Sequence, residues 1–191
     1  PYIQYVITIF MILAATNFTL HYYALTGEVK RYWKDEEFRL FLGIITASAL
    51  FIGLTLYFRQ NYDLEHSLRA GFFQVASIIS CTGFASEDFV LWPTALWLVL
   101  FFLMLIGGCA GSTTGSVKVM RYLMLFKMGG REFKKMFHPN AVLVLRYNKK
   151  PVSEEVMSKI MAFFLVYMLT FASGVLLLCI NQIDFTSAAG A

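Results

Sequence analysis

Charge is scarce in this chain. Of 191 residues, 15% are Asp, Glu, Lys or Arg, against about 25% in an ordinary soluble domain. Four stretches carry no charge at all: Tyr2–Leu25, Leu40–Phe58, Phe89–Val117 and Ile160–Ile183, which run 24, 19, 29 and 24 residues. Cysteine is nearly absent too. Cys81, Cys109 and Cys179 lie far apart in apolar stretches with no C-x-x-C spacing, which suggests neither a zinc site nor a disulfide framework. The three histidines, His21, His66 and His138, are equally scattered. Only His21 falls inside an uncharged run, too little for acid–base or metal chemistry there. The chain is therefore not expected to be an enzyme, nor to carry an organic cofactor.

What is present is hydrophobic: 58% of the residues, with a mean hydropathy of +0.63. A helix needs roughly 20 apolar residues to cross the hydrocarbon core of a bilayer, so all four uncharged runs are candidate spans. The fold class expected is an all-α membrane protein in contact with lipid. The net charge of +4 does not point to nucleic acid, because of where it sits. If the first run exits on the cytoplasmic side, then Lys30, Arg31, Lys34 and Arg39 are inside, as are the ten Lys and Arg residues from Lys118 to Lys159. Only Arg59 and Arg69 are outside, a split of 14 to 2. That is the positive-inside bias, with attraction to anionic lipid as a by-product. The chain starts at Pro1 and stops just after a new segment has begun, so it is expected to be a piece of a longer protein.

Ala70–Ser86 breaks the pattern of spans. It is 17 residues without charge, too short and too polar to cross. If it did cross, the Lys/Arg-rich region after Val117 would fall outside, against the charge bias. The segment is expected to enter from outside and return, with a helix from about Ser67 to Ile79 that is ~18–20 Å long at 1.5 Å per residue. Irregular backbone at that depth requires surrounding protein or a water-filled cavity. The helix C-terminus would favour a cation, and the carbonyls of Ser80, Cys81, Thr82 and Gly83 can replace an ion's hydration shell. Phe84 and Phe89 are expected to pack this loop from behind. The plainer alternative is an interfacial helix ending in an ordinary Thr-Gly turn.

The 29-residue run holds a second anomaly, Gly107-Gly108-Cys109-Ala110-Gly111-Ser112-Thr113-Thr114-Gly115-Ser116 followed by Val117 and Lys118. The glycines at 107, 111 and 115 suit close helix packing. Against an unbroken helix, each interior glycine costs ~1 kcal/mol relative to alanine. A broken helix with an intramembrane loop below the pore loop is the other reading, its hydroxyls meeting a hydrated ion. The missing Gly-Lys-Ser/Thr ending and the missing strand signal speak against a phosphate-binding loop, the rival that GSTTGSVK suggests. Lys118 is either a lysine snorkelling to the interface or a cation facing the ion path. Residues 129–155 read as a cytoplasmic connection with a basic patch at Arg131, Lys134 and Lys135. AVLVLRY within it is strand-like or helical. Ser153-Glu154-Glu155 has the look of a helix start, and Asp184-Phe185-Thr186-Ser187-Ala188 opens another short segment.

These residues resemble the TrkH/KtrB family of potassium transporters. The resemblance is carried by Asn17-Phe18, Asp35-Glu36-Glu37-Phe38, Ser80-Cys81-Thr82-Gly83-Phe84, Gly107–Lys118 and His138-Pro139-Asn140-Ala141. It implies repeats of span, pore helix and span around a central ion pathway, as in potassium channels. Residues 1–25 would close a preceding repeat, 26–39 connect on the cytoplasmic side and 40–128 form one complete repeat. Residues 129–155 would be a second cytoplasmic connection, and 156–191 the opening span and first pore-helix residues of the next repeat. The resemblance further implies potassium uptake across the bacterial inner membrane, with K+ held at Cys81, Thr82 and Gly83. Gly107–Ser116 would be the gating loop and Lys118 the pore-proximal cation. The partners implied are a second copy of the full-length subunit and a cytoplasmic nucleotide-binding ring of the TrkA/KtrA kind. Two departures stand out. The family's Thr-Thr-Thr-Gly-Phe reads Ser-Cys-Thr-Gly-Phe, and its Gly-Gly ahead of the loop's Lys reads Gly115-Ser116. A sodium-permeable or sodium-coupled transporter of the same fold, and a non-conducting structural membrane protein, are the rival readings.

Overall fold

A computed structural model describes residues 1–60, 62–138, 143–183 and 185–190. It divides into two units, Pro1–Leu123 and Met124–Ala191. The described residues are helical apart from loops and one two-residue hairpin.

In the first unit the run Tyr2–Leu25 is not one helix. It forms α1 (Tyr2–Ala14) and α2 (Phe18–Leu25), bent by 103° across a three-residue break. Asn17 starts α2 by accepting the Thr19 amide at 2.8 Å, an N-cap that competes with helix continuation. After the short α3 (Lys30–Lys34) comes α4 (Glu36–Gln60). Its start is specified locally. Asp35 accepts the Phe38 amide at 2.8 Å, and Glu36 and Glu37 complement the positive end of the helix dipole. At about 38 Å, α4 is long and apolar enough to cross a membrane.

The next helix, α5 (Leu64–Ile79), begins three residues before the expected start. Its charged first turn lies outside the apolar segment yet is helical. Even so it is about 24 Å long, short of the ~30 Å hydrocarbon core. A single 3₁₀ turn, Phe89–Leu91, leads to α6 (Thr94–Leu105). The core is a stripe of α4, Phe41, Ile45, Ala49, Ile52 and Leu56, all fully buried. It packs with Ala70, Val75 and Ile79 of α5 and with Leu96, Leu100 and Leu103 of α6. The opposite face of α4, with Leu50, Phe51, Leu54 and Phe58, is exposed, as suits a helix that meets lipid or further helices.

The run Phe89–Val117 is likewise not one helix: α6 ends at Leu105, and α7 (Val119–Phe137) starts after a loop. From Met124 onward the chain belongs to the second unit. There Arg146–Tyr147 and Lys150–Pro151 pair as an antiparallel hairpin, β1 and β2. Met124, Leu145, Met157 and Ile160 form a small core. The longest helix, α8 (Glu154–Ile180), is capped by Ser153, which accepts the Val156 amide at 3.4 Å. It too is long and apolar enough to span. Six residues, Phe185–Gly190, form α9. Two candidate spans, three if the bent pair counts as one, thus stand where the sequence offers four uncharged runs. Pro139, Asn140, Ala141 and Asp184 lie outside the described residues.

Candidate functional site

The residues expected to carry ion chemistry come together where α5 ends. Ser80 closes the helix, its amide still bonded to the Ala76 carbonyl at 3.0 Å. Cys81 then turns into the left-handed region at φ 56°, and Gly83 repeats this at φ 77°. The amides of Thr82 and Gly83 both donate to the Ser77 carbonyl, at 3.0 and 3.4 Å. The Ser77 hydroxyl donates to the Phe84 carbonyl at 2.5 Å, and the Ser80 and Thr82 hydroxyls bond each other at 2.7 Å. Cys81 to Ala85 are exposed in this chain. The space around Gly83 is open to a Cβ, so the glycine is demanded by its backbone angle alone, which costs a side-chain-bearing residue roughly 1–2 kcal/mol. One expectation is corrected here. Phe84 is 54% exposed and is not part of the core cluster, whereas Phe89 does pack against the core.

Gly107–Lys118 forms an irregular loop tied into a closed shape. Its ends pair as Gly107 amide to Val117 carbonyl at 2.8 Å and Val119 amide to Gly108 carbonyl at 3.2 Å. The Gly108 amide donates to the Thr114 hydroxyl at 2.9 Å. A helix with small residues stacked at 107, 111 and 115 is therefore not what forms.

The loop docks into the break between α1 and α2, and each satisfies the other's stray backbone groups. Cys109 donates its amide to the Ala15 carbonyl at 2.9 Å, and Thr113 reaches the Ala14 carbonyl with its amide at 3.4 Å and its hydroxyl at 3.2 Å. In return the Phe18 amide donates to the Gly111 carbonyl at 3.1 Å. Carbonyls freed at a helix break need such partners where water is excluded. The approach is close: a Cβ on Gly108 would lie 2.5 Å from the Ala15 carbonyl oxygen.

Sequence reasoning assigned no role to Glu37. Its side chain is 1% exposed, and its Oε1 accepts the Ala110 amide at 2.6 Å and the Met120 amide at 3.0 Å. One carboxylate from the first turn of α4 thus ties the loop to the first turn of α7, whose leading amides lack intrahelical acceptors. The available signal was a second acidic residue directly ahead of a span, indistinguishable in sequence from a helix-start charge.

The family departure at Ser116 has a structural counterpart. Ser116 sits at φ 60°, a region glycine occupies freely. Its hydroxyl faces the carbonyls of Met104 and Leu105 at 2.9 and 2.8 Å, acceptors at the end of α6 that have no donor in the next helical turn; the Tyr122 hydroxyl also donates to the Leu105 carbonyl, at 3.0 Å. Lys118 turns back over the loop. Its ammonium lies 3.0 Å from the Thr114 hydroxyl, 3.4 Å from the Ser112 hydroxyl and 3.5 Å from the Ser112 carbonyl, with a closer contact to the Thr114 carbonyl. The loop and the α5 terminus are neighbours: a Cβ on Gly115 would lie 3.9 Å from the Cys81 sulfur. At the other end of α5, His66 meets Glu87 at 2.8 Å, and Arg69 bridges Glu65 at 3.1 Å and Gln4 of α1. Among the described residues no group of three His, Cys, Asp or Glu side chains is placed to hold a metal ion.

Residues 1–189 match the family model described as TrkH, cation transport protein. The chain is 37% identical over 190 residues to the Trk system potassium uptake protein TrkH of Salmonella typhimurium, covering 98% of this chain and 39% of that protein. It is 34% identical over 161 residues to the Trk system potassium uptake protein TrkG of Escherichia coli, covering 84% and 33%. The crystal structure of the potassium transporter TrkH from Vibrio parahaemolyticus matches with a TM-score of 0.91 at 36% identity, over 98% of this chain and 41% of that one. The chain spans about two fifths of the length of these TrkH relatives.

Proposed function

We propose, from the premise that the chain belongs to the TrkH family of cation transport proteins, that it supplies one repeat of the ion pathway in a potassium-uptake transporter of the bacterial inner membrane. The observation that carries this reading is the meeting of two irregular segments. The left-handed turn through Cys81 and Gly83 follows a helix too short to span, and Gly115 of the closed loop lies beside Cys81.

In this reading Ser80, Cys81, Thr82 and Gly83 contribute one quarter of a filter through their carbonyls, and K+ is the transported ion. Carbonyl dipoles replace hydration without net charge, so the change from Thr to Cys at position 81 leaves the ion ligands in place. Residues 107–116 obstruct the path next to the filter and act as its gate. Lys118 is the cation at that gate. The full-length protein pairs with a second copy and answers to a TrkA/KtrA-like cytoplasmic ring. Because one repeat cannot close a pore, residues 1–191 alone are expected to conduct nothing.

The test is cation flux through the full-length protein in liposomes, potassium against sodium, with wild type and Gly83→Ser. Potassium-preferring flux that the substitution weakens or makes less selective supports the filter role. Sodium-preferring flux moves the assignment to the sodium-permeable reading. No cation flux, or flux indifferent to position 83 under otherwise active conditions, overturns the filter role and favours a structural protein.

A further inference from the structure

The contacts of Lys118 are unusual for a lysine near a membrane surface. A snorkelling lysine extends toward water and headgroups. Here the ammonium folds back onto its own loop and gathers four oxygens: the carbonyls of Ser112 and Thr114 and the hydroxyls of the same two residues. An ammonium has three N–H donors, so four oxygens exceed what hydrogen bonding can use. Two of the contacts, at 3.4 and 3.5 Å, are longer than good hydrogen bonds. The arrangement is that of oxygens converging on a charge. All four are neutral, the donor set that suits a weakly hydrated monovalent cation; divalent ions draw on carboxylates.

The two hydroxyls are also held in place without the lysine. The Thr114 hydroxyl accepts the Gly108 amide at 2.9 Å and bonds the Ser112 hydroxyl at 2.9 Å, which in turn contacts the Cys109 carbonyl at 2.6 Å. The cradle is therefore built by the loop, and Lys118 occupies it from a tether four residues away.

We propose that Ser112 and Thr114 form a monovalent-cation site inside the loop, and that the Lys118 ammonium is its built-in occupant, a tethered competitor for the permeating ion. The inference rests on the reading of residues 107–118 as a loop in the ion path. An ammonium and a potassium ion are similar in size, so removing the tethered charge leaves a vacancy that K+ or Rb+ fills and the smaller Li+ does not.

The experiment reads Cys109, which is 1% exposed within the loop, by alkylation and mass spectrometry of its peptide in the full-length protein, in K+, Rb+, Li+ or choline. In wild type the rate is expected to be the same in all four, because the occupant is covalent. In Lys118→Met it is expected to be at least tenfold slower in K+ or Rb+ than in Li+ or choline. Lys118→Ala, which likewise leaves the four oxygens without an occupant, is read the same way if the first variant does not fold. Rates that ignore the cation in the variants overturn the proposal. So does an equal potassium dependence in wild type, which would place the responding site elsewhere, such as the filter. Wild-type flux is scored separately: flux with cation-blind Cys109 in the variants sinks this site alone and leaves the pore reading standing.

Discussion

Glu37→Gln should loosen the loop without changing its shape. The wild-type carboxylate accepts two amides on Oε1, from Ala110 and Met120, and a glutamine Oε1 has the same two lone pairs. At that oxygen only the charge is lost. A hydrogen bond to a charged group contributes about 1.5–3 kcal/mol and a neutral one about 0.5–1.5. The difference is about 1 kcal/mol per bond, or about 2 kcal/mol for the pair. At 1.36 kcal/mol per decade that is roughly a 30-fold change in an equilibrium constant. Glu37→Leu goes further, because each amide then stays buried without an acceptor, at about 1–3 kcal/mol apiece. Hydrogen exchange of the full-length protein, read on peptides covering 107–122, measures this locally. Protection there should fall about 30-fold in Glu37→Gln and more in Glu37→Leu, while peptides from the α4–α5 core keep theirs. Wild-type protection of residues 107–122 in both variants would refute the view that Glu37 holds the loop. Equal loss throughout the first unit would show that the carboxylate serves the whole fold.

Gly108→Ala is expected to push the loop off the α1–α2 break, since its Cβ would lie 2.5 Å from the Ala15 carbonyl oxygen; overpacking of this kind costs about 1–3 kcal/mol. Alkylation of the buried Cys109 should speed up by tenfold or more, and an unchanged rate would mean the two breaks do not lock together. At Ser116 one hydroxyl proton serves the Met104 and Leu105 carbonyls, so only one bond of ~1 kcal/mol is at stake. Ser116→Gly loses it but regains about 1 kcal/mol of left-handed strain, for a thermal midpoint near wild type. Ser116→Ala keeps the strain and loses the bond, so it should melt below both; an alanine variant as stable as wild type would remove the hydroxyl from the argument.

Several features were legible in the residues because they follow from short-range rules. An uncharged run of membrane length marks α4 and α8, since a charge in hydrocarbon is expensive wherever the rest of the chain goes. The cap at Ser153 also needed no tertiary information, as it acts within one turn. The end of α5 near Ile79 was read from the small and polar residues after it. Its start was not, because Leu64–His66 belong to the helix but not to its apolar part.

Tertiary structure decided the rest. Tyr2–Leu25 has the composition of one span, and its 103° bend depends on acceptors and donors that arrive from residues 109–113. The Gly-rich segment fitted a packed helix or a loop equally well from composition. The choice turns on hydrogen bonds that the loop donates to Ala14, Ala15 and Glu37, up to 99 positions away in the chain. Glu37 and Ser116 show the limit most plainly. A glutamate at a helix start and a serine among glycines carry no mark of their partners. What they do follows from long-range closure of backbone groups that an apolar surrounding leaves no other way to satisfy.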